Sequence, residues 1–424
     1  MFKIVTTYIE RYKTQVKNLG VYFLAALIPM ILSLLANPFI AKNMSPEDYA
    51  ITGYYTAFST LFSPLVSFYL LHYYTKRYFE LNDSQRAELR ATLFKSLIFF
   101  SCLMTVVALL IIFIYTEFFN KQSQIPFFPY AVLSMMSAPL AGIYTLTQND
   151  NRMARASKKF FRLSVAKGFI VIAITLLFVV GFKWGATGKL SAVLIGSAIM
   201  FVYVLWYNRS LWKIPFNSKI FKDALLFCWP LVIASMLTFF SNGYDKVFLE
   251  RMGNIEELGI YSVGVSIAYY LNVFATSIND TFQPDIFQSI VQRNYKRTAM
   301  FIGVKIAIMS ICVIGFIIFA PFIIKVLTYG RYVNSTPYAV IISLSTITSM
   351  LYYSMSNVTV ALGYTSITLT NKIIGSIASV VSFGFLINHF GAIGAAWGIV
   401  LSFVYFFLGN VILVIFKYRK EHKK

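Results

Sequence analysis

The chain has 424 residues, of which 58% are hydrophobic and 12% charged, and its mean hydropathy is +0.69. Soluble domains carry roughly 25% charged residues, so this composition excludes a water-soluble globule and makes lipid the solvent. A net charge of +21 would suggest nucleic acid in a soluble chain, but no basic–aromatic nucleic-acid module is present, and the basic residues gather in loops between apolar runs.

Lys3, Arg11, Lys13 and Lys17 precede the first apolar run, which is too long for the core of a signal peptide and reads as a retained helix. Spanning stretches then recur at 20–41, 49–71, 93–115, 127–147, 163–182, 190–208, 225–249, 259–281, 299–325, 336–361, 371–388 and 392–416. Helices are expected, because each backbone polar group must find its partner locally in hydrocarbon. The short alternating pattern of a membrane barrel is missing.

Several of these stretches carry polar stripes. The first has Ser33 and Asn37, with Pro29 and Pro38 able to bend it. Thr52, Thr56, Ser59, Ser63 and Ser67 follow in the second at spacings of three or four. Residues 97–114 and 169–182 are aliphatic and aromatic and should face lipid. The seventh carries Ser235, Thr238, Asn242 and Asp245; the eighth carries Ser262, Ser266, Tyr269, Thr276, Asp280 and Gln283. Hydroxyls alone fit helix packing as well as a wet cavity. A carboxylate inside a span costs roughly 2.5–3.5 kcal/mol on insertion scales, so Asp245 tips the reading toward a cavity lined by helices one, two, seven and eight. For Asp245 and Lys246, snorkelling to the interface competes with a gate or coupling role. For Lys305, and similarly Lys167, snorkelling competes with substrate contact.

Loop charge orients the chain. One set of loops, with both termini and the flanking Lys95, Lys167 and Lys372, carries 28 Lys and Arg; the opposite set carries 7. The bias places both termini in the cytoplasm of a multi-pass inner-membrane protein.

An internal repeat is visible. Phe39, Lys42, Glu47 and Ile51 recur 209 residues on as Phe248, Arg251, Glu256 and Ile260. Gly185-Ala-Thr-Gly188 recurs at Gly391-Ala-Ile-Gly394, and Lys95 corresponds to Lys305. The expected fold is an all-α polytopic membrane protein of twelve transmembrane helices. They form two six-helix bundles, residues 1–208 and 209–424, related by a pseudo-two-fold axis along the membrane normal.

Chemistry of other classes is missing. Cys102, Cys228 and Cys312 lie in apolar segments, and His72, His389 and His422 are scattered, so no metal set is expected. There is no Gly-x-x-x-x-Gly-Lys-Ser/Thr phosphate loop and no triad or paired carboxylates in one extramembrane segment. No catalytic residue and no enzyme activity are expected.

Met44-Ser-Pro-Glu-Asp-Tyr-Ala-Ile51 resembles the helix one–two junction of bacterial polysaccharide (O-antigen) flippases. So do Asp245-Lys-Val-Phe-Leu-Glu-Arg251 leading to Glu257-Leu-Gly-Ile-Tyr261, and Gly391-Ala-Ile-Gly-Ala-Ala396. These proteins form the polysaccharide-transporter branch of the multidrug/oligosaccharidyl-lipid/polysaccharide (MOP) exporter superfamily. Where the second half has Leu-Gly-Ile-Tyr, the first reads Tyr49-Ala-Ile-Thr52, which leaves the subfamily open. The resemblance implies two bundles around a cationic cavity and a substrate of undecaprenyl-diphosphate-linked oligosaccharide for O-antigen or another surface polysaccharide. On that basis Lys42, Lys246, Arg251 and Lys305 are candidate phosphate contacts. Asn37, Thr56, Ser59, Ser63, Asn242, Asp245, Thr276 and Asp280 are candidate cavity or coupling residues. No cofactor is expected; an H+ or Na+ gradient acting through Asp245 or Asp280 is the candidate energy source. Membrane lipids and the polysaccharide polymerase machinery are candidate partners. A multidrug exporter of the same superfamily and an integral-membrane glycan polymerase are the alternatives.

Overall fold

The computed structural model describes the backbone of residues 2–362 and 364–422, with side chains 2–19, 280, 284, 291, 365, 366, 418, 421 and 422 outside the description. Helices occupy nearly all of it, and no strand occurs among the described residues. In the first half of the sequence they are α1 (Phe2–Asn43), α2 (Pro46–Ser67), α3 (Leu70–Arg77), α4 (Asp83–Ile114), α5 (Tyr130–Met135), α6 (Ser137–Met153), α7 (Ser157–Thr175) and α8 (Gly185–Tyr207). The second half holds α9 (Ser218–Met236), α10 (Phe239–Asn242), α11 (Tyr244–Arg251), α12 (Ile255–Ala268), α13 (Leu271–Val291), α14 (Tyr295–Leu327), α15 (Thr336–Ala361) and α16 (Thr365–His422).

Among the described residues, ten helical stretches are long and apolar enough to cross a membrane. The chain is thus an all-α, multi-pass membrane protein. The difference from twelve expected segments has two sources. The second, 49–71, becomes α2 and α3, parted at Phe68 and Tyr69, and does not reach the hydropathy of the ten. The last two run together in α16, which turns at Gly391 with φ +56°. That backbone conformation suits a residue without Cβ.

The helix starts explain two of the sequence landmarks. Ser45 caps α2: its hydroxyl accepts the Asp48 N–H, and the Asp48 carboxylate accepts the Ser45 N–H. This reciprocal box satisfies two otherwise orphaned donors. At a spacing of 209, Asn254 caps α12 by accepting the Glu257 N–H and donating to its carboxylate. Both helices thus begin with a side-chain cap from the residue three before an acid, although the acid meets the backbone N–H in α2 and the side-chain amide in α12.

Helices seven and eight of the sequence reading are discontinuous. The expected 225–249 segment breaks at Leu237–Thr238 and again at Gly243, and the expected 259–281 segment breaks at Tyr269–Tyr270. Such breaks are tolerated in a membrane where the freed backbone is buried in protein or lines a polar cavity.

Contacts divide the chain into two compact units that do not follow sequence order. The first holds 1–40, 63–111 and 131–232. Its core gathers Leu70, Tyr74, Leu89, Phe94, Leu97 and Ile143. Beside it, the Arg90 guanidinium pairs with Asp150 at 2.8 Å and reaches Asn208 at 2.6 Å, while Tyr74 donates to the same Asp150. The second unit holds 41–62, 112–130 and 233–424.

Candidate functional site

The second unit contains a cavity of about 460 Å³, within the roughly 300–1,000 Å³ of small-ligand sites. Nine of its twelve lining residues are polar: Thr60, Asn242, Tyr269, Asn272, Thr276, Asn279, Ser345, Ser349 and Tyr353; Ala275, Met350 and Phe403 complete it. The helical period builds this wall. Asn272, Thr276 and Asn279 recur at four and three along α13, and Ser345, Ser349 and Tyr353 at four and four along α15, so each set shares one face. Asn242 ends α10 and accepts a hydrogen bond from the Tyr269 hydroxyl at 3.3 Å.

No described lining residue is ionised at neutral pH. Amides and hydroxyls both donate and accept, while Tyr269, Tyr353 and Phe403 offer ring surface. Such a wall suits a neutral, polyhydroxylated ligand better than a free ion.

Two lysines stand near this wall. Lys305 is fully buried, and its Nζ donates to Asn279 Oδ1 at 2.6 Å. It does not reach for an interface. Lys372, on α16, donates to Thr238 Oγ1 at 2.9 Å and lies 5.5 and 5.2 Å from the Tyr352 and Phe406 ring centres. Thr238 precedes Asn242 by one helical turn, and Tyr352 adjoins Tyr353.

Asp245 is fully buried on α11. One carboxylate oxygen accepts from the Tyr261 hydroxyl at 2.7 Å; the other accepts no hydrogen bond. An acceptor left bare in a buried setting is costly. Lys246 is also buried, with its aliphatic stem against Gly53 of α2.

The remaining expected residues are dispersed. Lys42 is exposed with its Nζ 4.8 Å from the Tyr329 ring centre, and Arg251 donates to the Tyr115 hydroxyl at 3.0 Å. Thr56 is exposed and returns its hydroxyl to the Thr52 carbonyl. Ser59 is half-buried beside the cavity residue Thr60. Asn37 and Ser63 belong to the first unit, and the Asp280 side chain lies outside the described residues. The structure therefore brings Asn242 and Thr276 together and places Lys305 one hydrogen bond away. Sequence reasoning missed Asn272, Asn279, Ser345, Ser349, Tyr353 and Lys372. The i, i+4 pair Ser345 and Ser349, and a lysine inside an apolar run, were the available signals.

The solved structures similar to this all-helical membrane bundle are transporters of the MOP superfamily. Lipid II flippase MurJ, in an inward closed conformation, matches with a TM-score of 0.69 at 15% identity, over 92% of this chain and 86% of that one. A MOP superfamily transporter from Pyrococcus furiosus matches with a TM-score of 0.64 at 13% identity, over 95% of both chains. These likenesses show the fold. The family model of polysaccharide biosynthesis proteins matches residues 15–289, and the chain belongs to that family. An Lsg locus protein of Haemophilus influenzae is 21% identical over 288 residues, 65% of this chain and 67% of its own length.

Proposed function

We propose that this chain flips a polyprenyl-diphosphate-linked oligosaccharide, in bacteria the undecaprenyl form, across the inner membrane by alternating access. The observation that carries the reading is the cavity wall: amides, hydroxyls and aromatic faces without a described acid, with Lys305 held at its edge. A sugar head brings hydroxyls that such a wall can satisfy. Burying those hydroxyls unpaired in hydrocarbon is what makes unaided crossing costly. The lipid tail stays in the bilayer while the head crosses in the cavity. Lys305, with Lys372 one layer away, supplies positive charge for the diphosphate; a lysine serves there as a point charge. Lys42 and Arg251, engaged on aromatic rings, fit this role less well. A multidrug exporter for cations would want a carboxylate in the wall, and the described wall has none. The bare oxygen of Asp245 supports it as the site where H+ or Na+ couples to the cycle. The charge bias of the loops supports cytoplasmic termini and a parallel repeat of two halves.

The test is a reconstituted flipping assay with lipid-linked oligosaccharide, paired with depletion in cells. Replacing Asn242→Leu and Thr276→Val together is expected to lower flipping about tenfold, since two lost hydrogen bonds of about 0.5–1.5 kcal/mol each sum to that ratio. On depletion, lipid-linked sugar should accumulate on the cytoplasmic leaflet. Normal delivery after depletion, with no second flippase present, would sink the proposal.

A further inference from the structure

The linker between α8 and α9 is held at two points. Pro215 favours an extended residue before it, and Ile214 stands at ψ 130°. Its carbonyl and that of Trp212 both accept from Lys95 Nζ of α4, at 2.6 and 3.3 Å. Three residues on, the Asn217 side chain starts α9 by accepting the Ile220 N–H at 3.1 Å, and its Nδ2 donates to Glu88 of α4 at 2.8 Å. Phe216 is fixed between these anchors.

Fixing Phe216 builds a groove. An open space of about 450 Å³ lies between Phe99, Phe100 and Leu103 of α4 and Phe216 and Phe221, with Lys95 lining it one turn nearer the start of α4. The Phe221 ring centre stands 5.7 Å from those of both Phe100 and Phe216, so this side is packed, while Phe99, Leu103 and Phe216 stay exposed. All of these residues belong to the first unit, whereas the polar cavity belongs to the second.

The chemistry of the groove selects its occupant. Beyond Lys95, α4 is apolar to its end, so the groove opens to lipid. In a bilayer an apolar groove gains little by being filled, because lipid tails are as apolar as its walls. Any preference among lipids must come from the polar end. The Lys95 ammonium carries three N–H groups; the linker carbonyls take two, and among the described residues no carboxylate pairs with it. Lys213, Lys219 and Lys222 are exposed on the same linker and the start of α9, where Asp223 is the one acid from 209 to 223. Glu88 is already engaged by Asn217. A positive end joined to an apolar groove matches a phosphate joined to an acyl chain.

We propose that this groove binds one anionic phospholipid of the bilayer, with its phosphate on the third N–H of Lys95 and an acyl chain along Phe99, Leu103 and Phe216. The bound lipid adds to the hold of Lys95 on the linker. The site does not depend on the cargo.

Trp212 reports it, since its ring centre is 6.3 Å from that of Phe99. The test uses the full chain with Trp184, Trp206, Trp229 and Trp397 replaced by Phe, in phosphatidylcholine vesicles. These carry the same minor fraction of either brominated phosphatidylglycerol or brominated phosphatidylcholine, whose bromines quench tryptophan on contact. Phosphatidylglycerol should associate about fivefold more strongly, the effect of one cation facing an anionic headgroup. Lys95→Arg should keep that ratio. Lys95→Met should bring it to parity, and so should Lys95→Gln, which retains amide donors for the two linker carbonyls. Equal quenching by the two lipids in the starting chain, or a preference that survives both neutral variants, would overturn the site. Relief of the quenching by unlabelled undecaprenyl phosphate, and not by the same fraction of unlabelled phosphatidylglycerol, would overturn it too and give the groove to the translocated lipid.

Discussion

Lys95 of α4 and Lys305 of α14 occupy corresponding places in the sequence repeat, 210 residues apart, and the structure gives them opposite surroundings. Lys95 turns to the edge of the first unit, where its Nζ donates to the carbonyls of Trp212 and Ile214 at 3.3 and 2.6 Å. Lys305 is enclosed in the second unit and donates to Asn279, a wall residue of the polar cavity. One ammonium fastens a linker; the other stands beside the wall of the polar cavity. A repeat preserves position along a helix. It does not preserve what the neighbouring helices present to that position.

The sharpest way to break this comparison is to remove each charge in turn. Lys305→Met should lower flipping in reconstituted vesicles about hundredfold, since an ammonium facing a diphosphate away from water accounts for roughly 3 kcal/mol or more. The chain should still insert in the membrane. Near-normal flipping by Lys305→Met would remove this lysine from the phosphate site.

A second contrast concerns buried acids. Asp150 in the first unit is paired with Arg90 and Tyr74. Asp245 in the second accepts from Tyr261 alone and leaves an oxygen bare. The paired acid is set up for stability and the bare one for change. Asp150→Asn should therefore destabilise the chain by about 1–3 kcal/mol, below the 3–5 of a fully buried pair because Arg90 and Asp150 keep partial solvent contact. Thermal unfolding in detergent measures it. Asp245→Asn should change stability by less than about 1 kcal/mol, because the amide oxygen keeps the Tyr261 hydrogen bond and a neutral amide is less costly to bury than a carboxylate with a bare oxygen. It should instead remove the dependence of flipping on an imposed ion gradient. The reverse pattern would exchange the roles of the two acids.

The sequence made the helical membrane class plain, because composition and run length are properties of single segments. It also marked Asn242, Asp245 and Thr276, since polar atoms in an apolar run stand out one residue at a time. It could not locate the cavity wall. Ser345 and Ser349 of α15 look like ordinary packing hydroxyls until Asn272, Thr276 and Asn279 of α13 are set beside them. Nor could it see that Glu250, at the end of α11, would meet residues 120–124, because that contact spans about 130 positions of sequence. The breaks in helices seven and eight were hidden for a related reason. Apolar residues continue through Leu237 and Tyr269, and only the tertiary partners compensate the freed backbone there. Ser376, for example, donates to the Leu237 carbonyl at 3.2 Å.

The smallest effect should come from Lys95. Its ammonium caps one carbonyl in the turn at Arg209–Lys213 and one on the extended residue after it. Losing them should cost about 1 kcal/mol, the net worth of a typical hydrogen bond. The loss is local, so Lys95→Met should raise tryptic cleavage in the 209–217 linker about fivefold while flipping stays within about twofold of the unaltered chain. Cleavage and flipping can be read on the same vesicle preparation. A collapse of flipping in Lys95→Met comparable with that in Lys305→Met would mean that both repeat-related lysines serve the translocated head, and the contrast between a fastening charge and a cavity charge would fail.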